Sequence, residues 1–545
     1  MSIYNYRRRP SSVVRVGGVA LGGDNPVRLQ SMNNTSTLDT EGSARQALRI
    51  AQAGGEIVRL TTQGVREAAN MGAIRRRLDE LGCDVPLVAD VHFNPKAAFE
   101  AAATCSKVRI NPGNFVDAAR TFKKLEFTDE EYAAEIGKIR ASLLPFLDIC
   151  RAHGTAVRLG VNHGSLSDRI MSRYGDTPAG MVESVMEFLR ICREVDFNDI
   201  VISIKASNPT VMVETVKGLI AAMDAEDMHF PLHLGVTEAG DAEDGRVKSA
   251  VGIGTLMAEG IGDTIRVSLS EDPEREIPVA ARLRDYIAAR AGHAPIAEPE
   301  TVLPKPSRSY AAPIEVGGNV RFPVVGVDIE DIPDGWHSVD AASEPVLFAD
   351  SEPVGISSKH VNAPGEIASY IDRFVAMGGR NPFVIHLAYD VTDADDLMVR
   401  AGADFGALLL GGYGSAIWLE APAFSREMVA ATALGILQAA RLRMSKTEFI
   451  SCPSCGRTLF DLQSTLQEVK KATGHLKGLK IGVMGCIVNG PGEMADADYG
   501  YVGAGPGRVS LYRNKELVVK NIPAETALTE LISLIRSDGN WTDPS

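Results

Sequence analysis

The sequence predicts an α/β protein whose N-terminal part is a (β/α)8 TIM barrel. Between Arg28 and Leu269, eight short β-rich runs alternate with helix-like stretches rich in Ala, Arg and Glu. Alternating strands and helices indicate a parallel sheet with helical crossovers, and eight such units fit the ~250 residues of this barrel. The eight runs are VRLQSM (27–32), EIVRLTT (56–62), VPLVADVHF (85–93), KVRINP (107–112), TAVRLGVN (155–162), DIVISIKAS (199–207), PLHLGVTE (231–238) and DTIRVSLS (263–270).

The length of 545 residues leaves room for more than the barrel, because domains of ~100–200 residues would number three or four. Hydrophobic residues make up 45% and charged residues 23%, as in ordinary globular proteins. The longest charge-free run, Phe405 to Leu419, is shorter than the ~20 residues of a membrane-spanning helix. The N-terminal MSIYNYRRRP lacks the apolar stretch of a secretory signal. We therefore expect no membrane span and a cytoplasmic location.

The ends of the eight β-rich runs carry an unusual set of polar side chains, and barrel active sites lie at the C-terminal ends of the strands. The net charge of −14 disfavours a dispersed grip on nucleic acid, so an anionic ligand needs a local group of cations. Five cations at these ends suit a compact oxyanion such as diphosphate, although buried ion pairs are the alternative. The polar residues at the strand ends are Arg59, Asp90, His92, Arg109, Asn111, Asn114, Arg158, Asn162, Lys205, Ser207, Glu238, Arg266 and Ser268.

A proline-rich stretch after the eighth run predicts a domain boundary. The prolines are Pro295, Pro299, Pro304, Pro306 and Pro313. We therefore predict a barrel over 1–290, an inserted α/β domain with a structural role over 291–440, and a third domain over 441–545. Within the insert, the expected β-runs are RFPVVGV (321–327), PVLFAD (345–350), PFVIHLAY (382–389) and FGALLL (405–410), followed by a helix from Arg426 to Met444.

The third domain contains three of the seven cysteines in a pattern typical of a metal centre. Cys452 and Cys455 form a C-P-x-C turn, and Cys486 precedes a Gly-Pro-Gly loop that leads to Glu493. Three thiolates favour zinc or an iron–sulfur cluster. A zinc site completed by His475 and a redox-active dithiol remain alternatives. The other four cysteines, Cys83, Cys105, Cys150 and Cys192, are expected to be small buried apolar residues.

The motifs CPSCGR and VMGCIVNGPGE follow QSMNNT, ADVHF, RINPGN, VRLGVNHGSL, SIKAS, VTEAG and IRVSLS in that order. This series resembles the 4-hydroxy-3-methylbut-2-enyl diphosphate synthases of the non-mevalonate isoprenoid pathway, and the insert resembles that of the three-domain members. The resemblance implies a 4Fe-4S cluster bound by Cys452, Cys455, Cys486 and Glu493, with the carboxylate on the iron that substrate later occupies. It also implies a C-terminal α+β domain like the cluster domain of sulfite and nitrite reductases.

The resemblance further implies the reaction, in which 2-C-methyl-D-erythritol 2,4-cyclodiphosphate is opened reductively with loss of water. Reduced flavodoxin or ferredoxin would supply the electrons, and the enzyme would be a homodimer. We assign diphosphate binding to Arg59, Arg109, Arg158, Lys205 and Arg266, helped by Asn162, Ser207 and Ser268. Glu238 is the candidate for proton transfer, and Asp90 and His92 would orient hydroxyls or neighbouring arginines.

The barrel contains no redox group of its own, so we expect the cluster domain to close onto the barrel mouth, either within one chain or between two protomers. Two other functions fit the same residues. One is a zinc-stabilised, non-redox barrel that binds a phosphate ligand, and the other is a barrel enzyme that acts on a phosphorylated substrate without electrons.

Overall fold

The computed structural model describes residues 2–92, 94–116, 126–240, 242–299, 313–330, 336–452, 458, 460–486, 494 and 496–544. The chain divides into two compact units. The barrel unit comprises Pro10–Ala242, Gly262–Ala280 and Lys446–Ser545, and the middle unit comprises Met1–Arg9, Glu243–Ile261 and Ala281–Ser445. The boundaries expected at 290 and 440 stay predictions.

The barrel unit begins with an antiparallel hairpin of β1 (Val14–Val16) and β2 (Val19–Leu21), followed by eight parallel strands. A bridge between Ile202 and Leu232 joins the two ends of the eight-stranded sheet, which confirms the predicted barrel. The barrel strands are β3 (Arg28–Met32), β4 (Ile57–Thr62), β5 (Leu87–Val91), β6 (Lys107–Ile110), β7 (Ala156–Asn162), β8 (Ile200–Lys205), β9 (His233–Leu234) and β10 (Thr264–Ile265).

Helices connect these strands, and their first turns are capped by the side chains that precede them. Asp39, Thr128 and Ser167 each accept a hydrogen bond from a backbone N–H of the helix that follows. The helices are α1 (Thr40–Gln52), α2 (Val65–Glu80), α3 (Pro95–Ala102), α4 (Asp129–His153), α5 (Asp168–Tyr174), α6 (Pro178–Glu194), α7 (Pro209–Ala225), α8 (Ala242–Ala258) and α9 (Glu276–Ala288), with a 3-10 turn at Pro273–Arg275.

The N-terminal end of the barrel is closed by an apolar floor. Val14, Val16 and Leu21 of the hairpin pack against Ile57, Val88, Ala156 and Val201 inside the strands. Side chains two positions further along a strand face the same side of the sheet. The residues that follow the floor inside β4, β5 and β7 are therefore Arg59, Asp90 and Arg158, so the interior changes abruptly from apolar to charged.

The middle unit contains a four-stranded parallel sheet, with its core formed by residues such as Ile356, Phe374, Phe383 and Leu408. A Cβ on Gly254 of α8 would lie 2.7 Å from Cβ of Ala403, so that glycine allows a close approach between two helices. The elements from residue 314 are β11 (Ile314–Val316), β12 (Asn319–Arg321), β13 (His337–Asp340), β14 (Val354–Ser357), α10 (Ala363–Ala376), β15 (Phe383–Ala388), α11 (Ala394–Gly411), β16 (Ala416–Glu420) and α12 (Arg426–Ala439).

Secondary structure in this region was predicted less well than in the barrel. PFVIHLAY is confirmed as β15, but FGALLL (405–410) is wrong as a strand because it lies inside α11. Leu397, Ala401, Phe405 and Leu408 are buried at helical spacing, and Asp393 caps the helix. A short apolar run does not distinguish a buried strand from one face of a buried helix.

Two other expected strands and one helix end also differ. PVLFAD (345–350) forms a loop, in which Asp350 accepts the N–H of Glu352. RFPVVGV (321–327) contributes only the end of β12 and isolated bridges from Val324 and Val325. The expected helix to Met444 ends at Ala439 because the chain turns at Arg441, whose φ is 61°.

Among its described residues, the C-terminal part of the barrel unit is a five-stranded mixed sheet with two helices, as the α+β prediction requires. Strands β17 to β19 are parallel, and β20 and β21 add to the edge antiparallel. The likeness to sulfite and nitrite reductases stays a prediction. The elements are β17 (Glu448–Ser451), α13 (Leu462–Thr473), β18 (Lys480–Met484), β19 (Tyr499–Gly505), β20 (Arg508–Arg513), β21 (Glu516–Pro523) and α14 (Ala524–Ser537).

Two further expectations concern the whole chain. In the part of the chain that the structure describes, no helix is both long and apolar enough to cross a membrane. Cys83, Cys105, Cys150 and Cys192 are free and buried, as predicted. Burial raises the pKa of the Cys150 thiol to about 12, which makes it a poor nucleophile.

Candidate functional site

Five cations lie inside the barrel, above the apolar floor, and none is more than 9% exposed. We call Arg59, Arg109, Arg158, Lys205 and Arg266 the mouth cations. Their charges act on one another: burial lowers the pKa of Lys205 well below its usual value, and the four arginines lower it further. The structure therefore brings together the cations that the sequence placed on five different strands.

Asp90 lies between three of these arginines. Its Oδ1 accepts a hydrogen bond from Arg109 Nη1 at 3.1 Å, and Arg158 Nη2 lies 3.8 Å from the same oxygen. Arg59 Nε and His92 Nε2 approach the other oxygen at 3.8 and 3.2 Å. Burial would raise the pKa of Asp90, but Arg59, Arg109 and His92 outweigh it and hold that pKa well below the usual range. One fixed carboxylate thus positions three guanidinium groups.

Arg109 extends over the neighbouring strand β7, where a glycine leaves room for it. Its Nη2 donates to the carbonyl oxygen of Gly160 at 3.0 Å, and it also contacts His92. A Cβ on Gly160 would lie 2.5 Å from Arg109 Nε, which is too close for any other residue unless the arginine moves. The Arg-Leu-Gly sequence of β7 therefore supplies both a cation and the space for its neighbour.

Arg59 contacts a thioether sulfur in addition to Asp90. Its Nε and Nη2 lie 3.1 and 2.7 Å from the thioether sulfur of Met32, a weak acceptor. Burial lowers the pKa of Arg59 to about 10, with Asp90 opposing that shift and Arg266 adding to it. The guanidinium charge is therefore incompletely compensated and available to an anion.

Arg266 differs from the other mouth cations because it belongs to a bidentate ion pair. Its Nε and Nη2 donate to the two carboxylate oxygens of Glu276 at 3.0 and 2.9 Å, and both residues are buried. Glu276 also accepts from the Ser31 hydroxyl and the Leu269 N–H. For Arg266, the geometry is that of a buried ion pair, which was the alternative to an anion ligand. No motif in the sequence singles out Glu276, which begins a helix outside the predicted strands.

The other predicted polar residues are buried at the strand ends of the barrel. Asn111 is a loop anchor: its Nδ2 donates to Ser165 Oγ at 2.7 Å, and its Oδ1 accepts from the Gly113 N–H. Glu238 is buried and has a φ of 47°, a left-handed conformation that a non-glycine residue rarely adopts. Strained backbone of this kind concentrates at functional sites. The remaining candidates, Asn114, Asn162, Ser207 and Ser268, are buried at the same end of the barrel.

Two cysteines end neighbouring parallel strands of the C-terminal sheet. Cys452 directly follows β17, and Cys486 lies two residues after β18. The N–H of Gly485 points at Cys452 Sγ at 3.3 Å, and both cysteines are partly exposed. We call this pair of strand ends the cysteine end. Cys455 and Glu493 lie outside the described residues.

The donor set at the cysteine end fits an iron–sulfur cluster better than the zinc alternative. Cys452 and Cys486 follow adjacent parallel strands, and backbone N–H groups directed at sulfur are typical of the surroundings of such clusters. His475 precedes β18, at the far end of a strand about 15 Å long, where its Nε2 contacts the Thr542 carbonyl oxygen at 2.7 Å. His475 is therefore badly placed to complete a zinc site with these cysteines.

The cysteine end of one chain lies against the mouth of its own barrel. Ser270 Oγ is 3.0 Å from Ser451 Oγ and 3.3 Å from the Cys452 carbonyl oxygen. Ala239, which follows Glu238, forms a parallel bridge with Ser451. Ser207 Oγ donates to Asp496 Oδ2 at 3.4 Å. Asp496 was not selected from the sequence, because nothing in the local pattern separates it from other surface acids.

These features agree with the families that match the chain. Residues 11–281 match the GcpE TIM-barrel domain, and residues 448–537 match the GcpE protein C-terminal domain. Three similar relatives are 4-hydroxy-3-methylbut-2-en-1-yl diphosphate synthases (flavodoxin), each 52% identical and covering 100% of this chain. Those from Parabacteroides distasonis and Phocaeicola vulgatus are covered over 100% of their own length, and that from Bacteroides fragilis over 98%. The chain therefore belongs to the GcpE family of 4-hydroxy-3-methylbut-2-en-1-yl diphosphate synthases.

Proposed function

We propose that this chain converts 2-C-methyl-D-erythritol 2,4-cyclodiphosphate to 4-hydroxy-3-methylbut-2-enyl diphosphate. One observation carries the proposal. Buried, incompletely paired cations fill the barrel mouth, and two cysteines from neighbouring strands lie against that mouth in the same chain. A cationic pocket alone would suit many phosphate-binding proteins, but a pocket next to metal-binding thiols suits reduction of a bound phosphate ester.

The reaction balances as a two-electron reduction. One C–O bond to phosphate breaks and opens the ring, a neighbouring hydroxyl leaves as water, and a C=C bond forms between the two carbons. Counting neutral species, two electrons and two protons enter, and one water molecule leaves. The diphosphate stays attached through its other ester.

The mouth cations hold the diphosphate and stabilise the phosphate oxygen that is released as the C–O bond breaks. Arg59, Arg109, Arg158 and Lys205 have donor groups available for this, whereas Arg266 is held by Glu276 and shapes the pocket. Asp90 positions the guanidinium groups through the contacts described above. His92, Asn162, Ser207 and Ser268 complete the wall around the substrate.

Glu238 moves a proton to the departing hydroxyl. It lies directly before Ala239, which pairs with Ser451 at the cysteine end, so it occupies the seam between the barrel and the C-terminal sheet. The same seam excludes bulk water from the reacting carbons.

Cys452, Cys455, Cys486 and Glu493 hold a 4Fe-4S cluster in this proposal. When bound, such a cluster supplies electrons one at a time and a Lewis-acidic iron. A carboxylate ligand exchanges more easily than a thiolate, which suits Glu493 to give way to substrate. Reduced flavodoxin, which the names of the relatives specify, is the donor. A homodimer and a cytoplasmic location remain predictions.

Anaerobic turnover tests the proposal. The protein is reconstituted with iron and sulfide, then incubated with the cyclic diphosphate and reduced flavodoxin, and the linear diphosphate is measured. We expect product to form with two electrons consumed per molecule, and the Cys486→Ser variant to form none. A colourless protein that retains one zinc after reconstitution, or turnover that does not depend on the reductant, would contradict the proposal.

A further inference from the structure

A second polar layer lies beneath the mouth cations and takes no part in the proposed reaction. We define this lower layer as Gln30, Lys107, Ser203, His233 and Thr264. Lys107, Ser203 and Thr264 each precede a mouth cation on their strand by two residues. Gln30 and His233 precede Met32 and Gly235 by the same spacing. By the two-residue periodicity of strands, these side chains face into the barrel. Lys107 pairs in register with Val88 and Ala156 of the apolar floor, and Gln30 pairs with Ile57, so the lower layer lies beside and above that floor.

The lower layer is buried and only partly paired. Gln30, Lys107 and His233 are each 0% exposed. Lys107 Nζ, His233 Nε2 and both side-chain polar atoms of Gln30 have no hydrogen-bond partner among the described residues, and neither do Nε and Nη1 of Arg158. A buried polar atom without a partner is costly, and a buried cation without one is more so.

Two buried carboxylates of the barrel interior are already engaged. Asp90 binds Arg109 and His92, and Glu276 binds Arg266 at both oxygens. Burial lowers the pKa of Lys107 well below its usual value, and the charges of Arg158 and Arg59 lower it further. His233 is affected in the same way by burial and by Lys205 and Arg158. Burial and the charges of Arg59 and Arg109 also lower the pKa of Arg158, but a guanidinium stays protonated in proteins.

We propose that the lower layer is a binding site for one small inorganic anion, such as chloride, held by Lys107 Nζ and Arg158 Nη1 beneath the substrate pocket. Gln30 and His233 form its polar wall. The apolar floor limits the space below it, so a halide suits the site better than a diphosphate. The anion would offset the interior cations and keep Lys107 protonated, so that the substrate meets a preformed pocket.

Crystals of the full-length protein grown in sodium bromide test this directly. We expect an anomalous bromide peak in hydrogen-bonding contact with Lys107 Nζ. In solution, replacing gluconate by chloride at constant ionic strength should raise Tm by about 2–5 °C and saturate.

Three variants make the test specific. Gln30→Glu places a carboxylate in the lower layer, so it should lose both the bromide peak and the chloride response while staying as stable as the wild type in gluconate. Lys107→Met should lose both as well. Lys138→Met, on an exposed side chain, should keep both.

Two results would overturn the proposal. One is bromide bound only among the mouth cations. The other is water alone beside Lys107 together with a Tm that does not change when chloride is added. If Lys107→Met does not fold, the Gln30→Glu variant still decides the question. An unchanged chloride response in that variant would count against the site.

Discussion

The barrel interior and the core of the middle unit both contain buried charges, but the two regions differ in how many hydrogen-bonding and charged partners those groups have. In the middle unit, the guanidinium of Arg290 binds the carboxylate of Asp404, which also accepts hydrogen bonds from Tyr286 at 2.5 Å and Tyr389 at 3.0 Å. Asp372 likewise accepts from two tyrosine hydroxyls. In the barrel, Arg59, Arg109 and Arg158 share one carboxylate, Asp90, among the described residues.

This difference separates structural charges from functional ones. A buried ion pair with a full set of partners fixes how elements pack, and its loss costs stability. Buried cations without enough partners cost stability as they stand, and proteins retain such groups where a ligand compensates them. The comparison predicts opposite consequences for removing a charge from each region.

The largest expected effect on stability is in the middle unit. Asp404→Ala leaves Arg290 buried without its counter-charge, so we expect a loss of about 3–5 kcal/mol in the free energy of unfolding. Chemical denaturation measures it. Glu344→Ala, which removes an exposed partner of Arg373, is the control and should cost no more than about 1 kcal/mol. Equal stability of the two variants would contradict the claim that the Arg290–Asp404 pair stabilises the middle unit.

The barrel should respond in the opposite way. Arg158→Met removes a buried, underpaired cation and keeps much of its volume, so stability should stay unchanged or rise. Because that cation stabilises the released phosphate oxygen, kcat/KM should fall by about 10²-fold or more. Arg190→Met, on the barrel exterior, should leave kcat/KM unchanged. A variant of Arg158 that is strongly destabilised but fully active per folded molecule would assign Arg158 to the scaffold.

The pH dependence of stability sharpens the comparison further. Burial and neighbouring cations lower the pKa of His233 well below its usual value, so the folded state does not take up a proton that the unfolded state does. This contribution to stability is complete above the unfolded pKa of about 6.5 and is lost as pH falls through the folded pKa. His233→Gln should therefore reduce the slope of stability against pH below 6.5 by up to about 1.4 kcal/mol per pH unit. Denaturation curves from pH 5 to 7 measure it, and an unchanged slope would contradict a neutral buried His233.

The smallest expected effect lies at the seam between the barrel and the C-terminal sheet. Asp496→Ala removes the acceptor for Ser207, a contact worth about 1 kcal/mol, so kcat/KM should fall about fivefold with little change in stability. Asp543→Ala, near the C-terminus, is the matched control in the same domain and should have no effect. An Asp496 variant with wild-type kcat/KM would show that this contact does not support catalysis.

The sequence predicts the barrel better than the middle unit for a physical reason. Barrel strands are buried on both faces and bounded by turns, so their apolar runs are recognisable, and the charged residues in them are conspicuous. FGALLL is as apolar as a barrel strand but lies in α11. Its helical periodicity becomes visible only when the run is read together with earlier residues of the helix, such as Leu397.

Partners of the site residues are harder to predict than the residues themselves. The sequence indicates Arg266 as a ligand for diphosphate. It does not indicate Glu276, the bidentate partner of Arg266, because the 3-10 turn at Pro273–Arg275 is what brings Glu276 back to the barrel. Lys107 and His233 were not predicted as interior residues, although Lys107 lies two residues before Arg109 and His233 lies two residues before Gly235 on the same strand face. That spacing was the available signal.

The central claim is that the barrel mouth and the cysteine end of one chain form a single site. Mixing two inactive variants tests it most directly, because Arg158→Met impairs only the mouth and Cys486→Ser impairs only the cysteine end. Each variant is reconstituted anaerobically, the two are mixed under conditions that permit subunit exchange, and turnover of the cyclic diphosphate is measured. We predict that the mixture stays as inactive as its components. Recovery of a substantial fraction of wild-type activity would contradict the claim, because it would mean that the two halves of the site come from different chains.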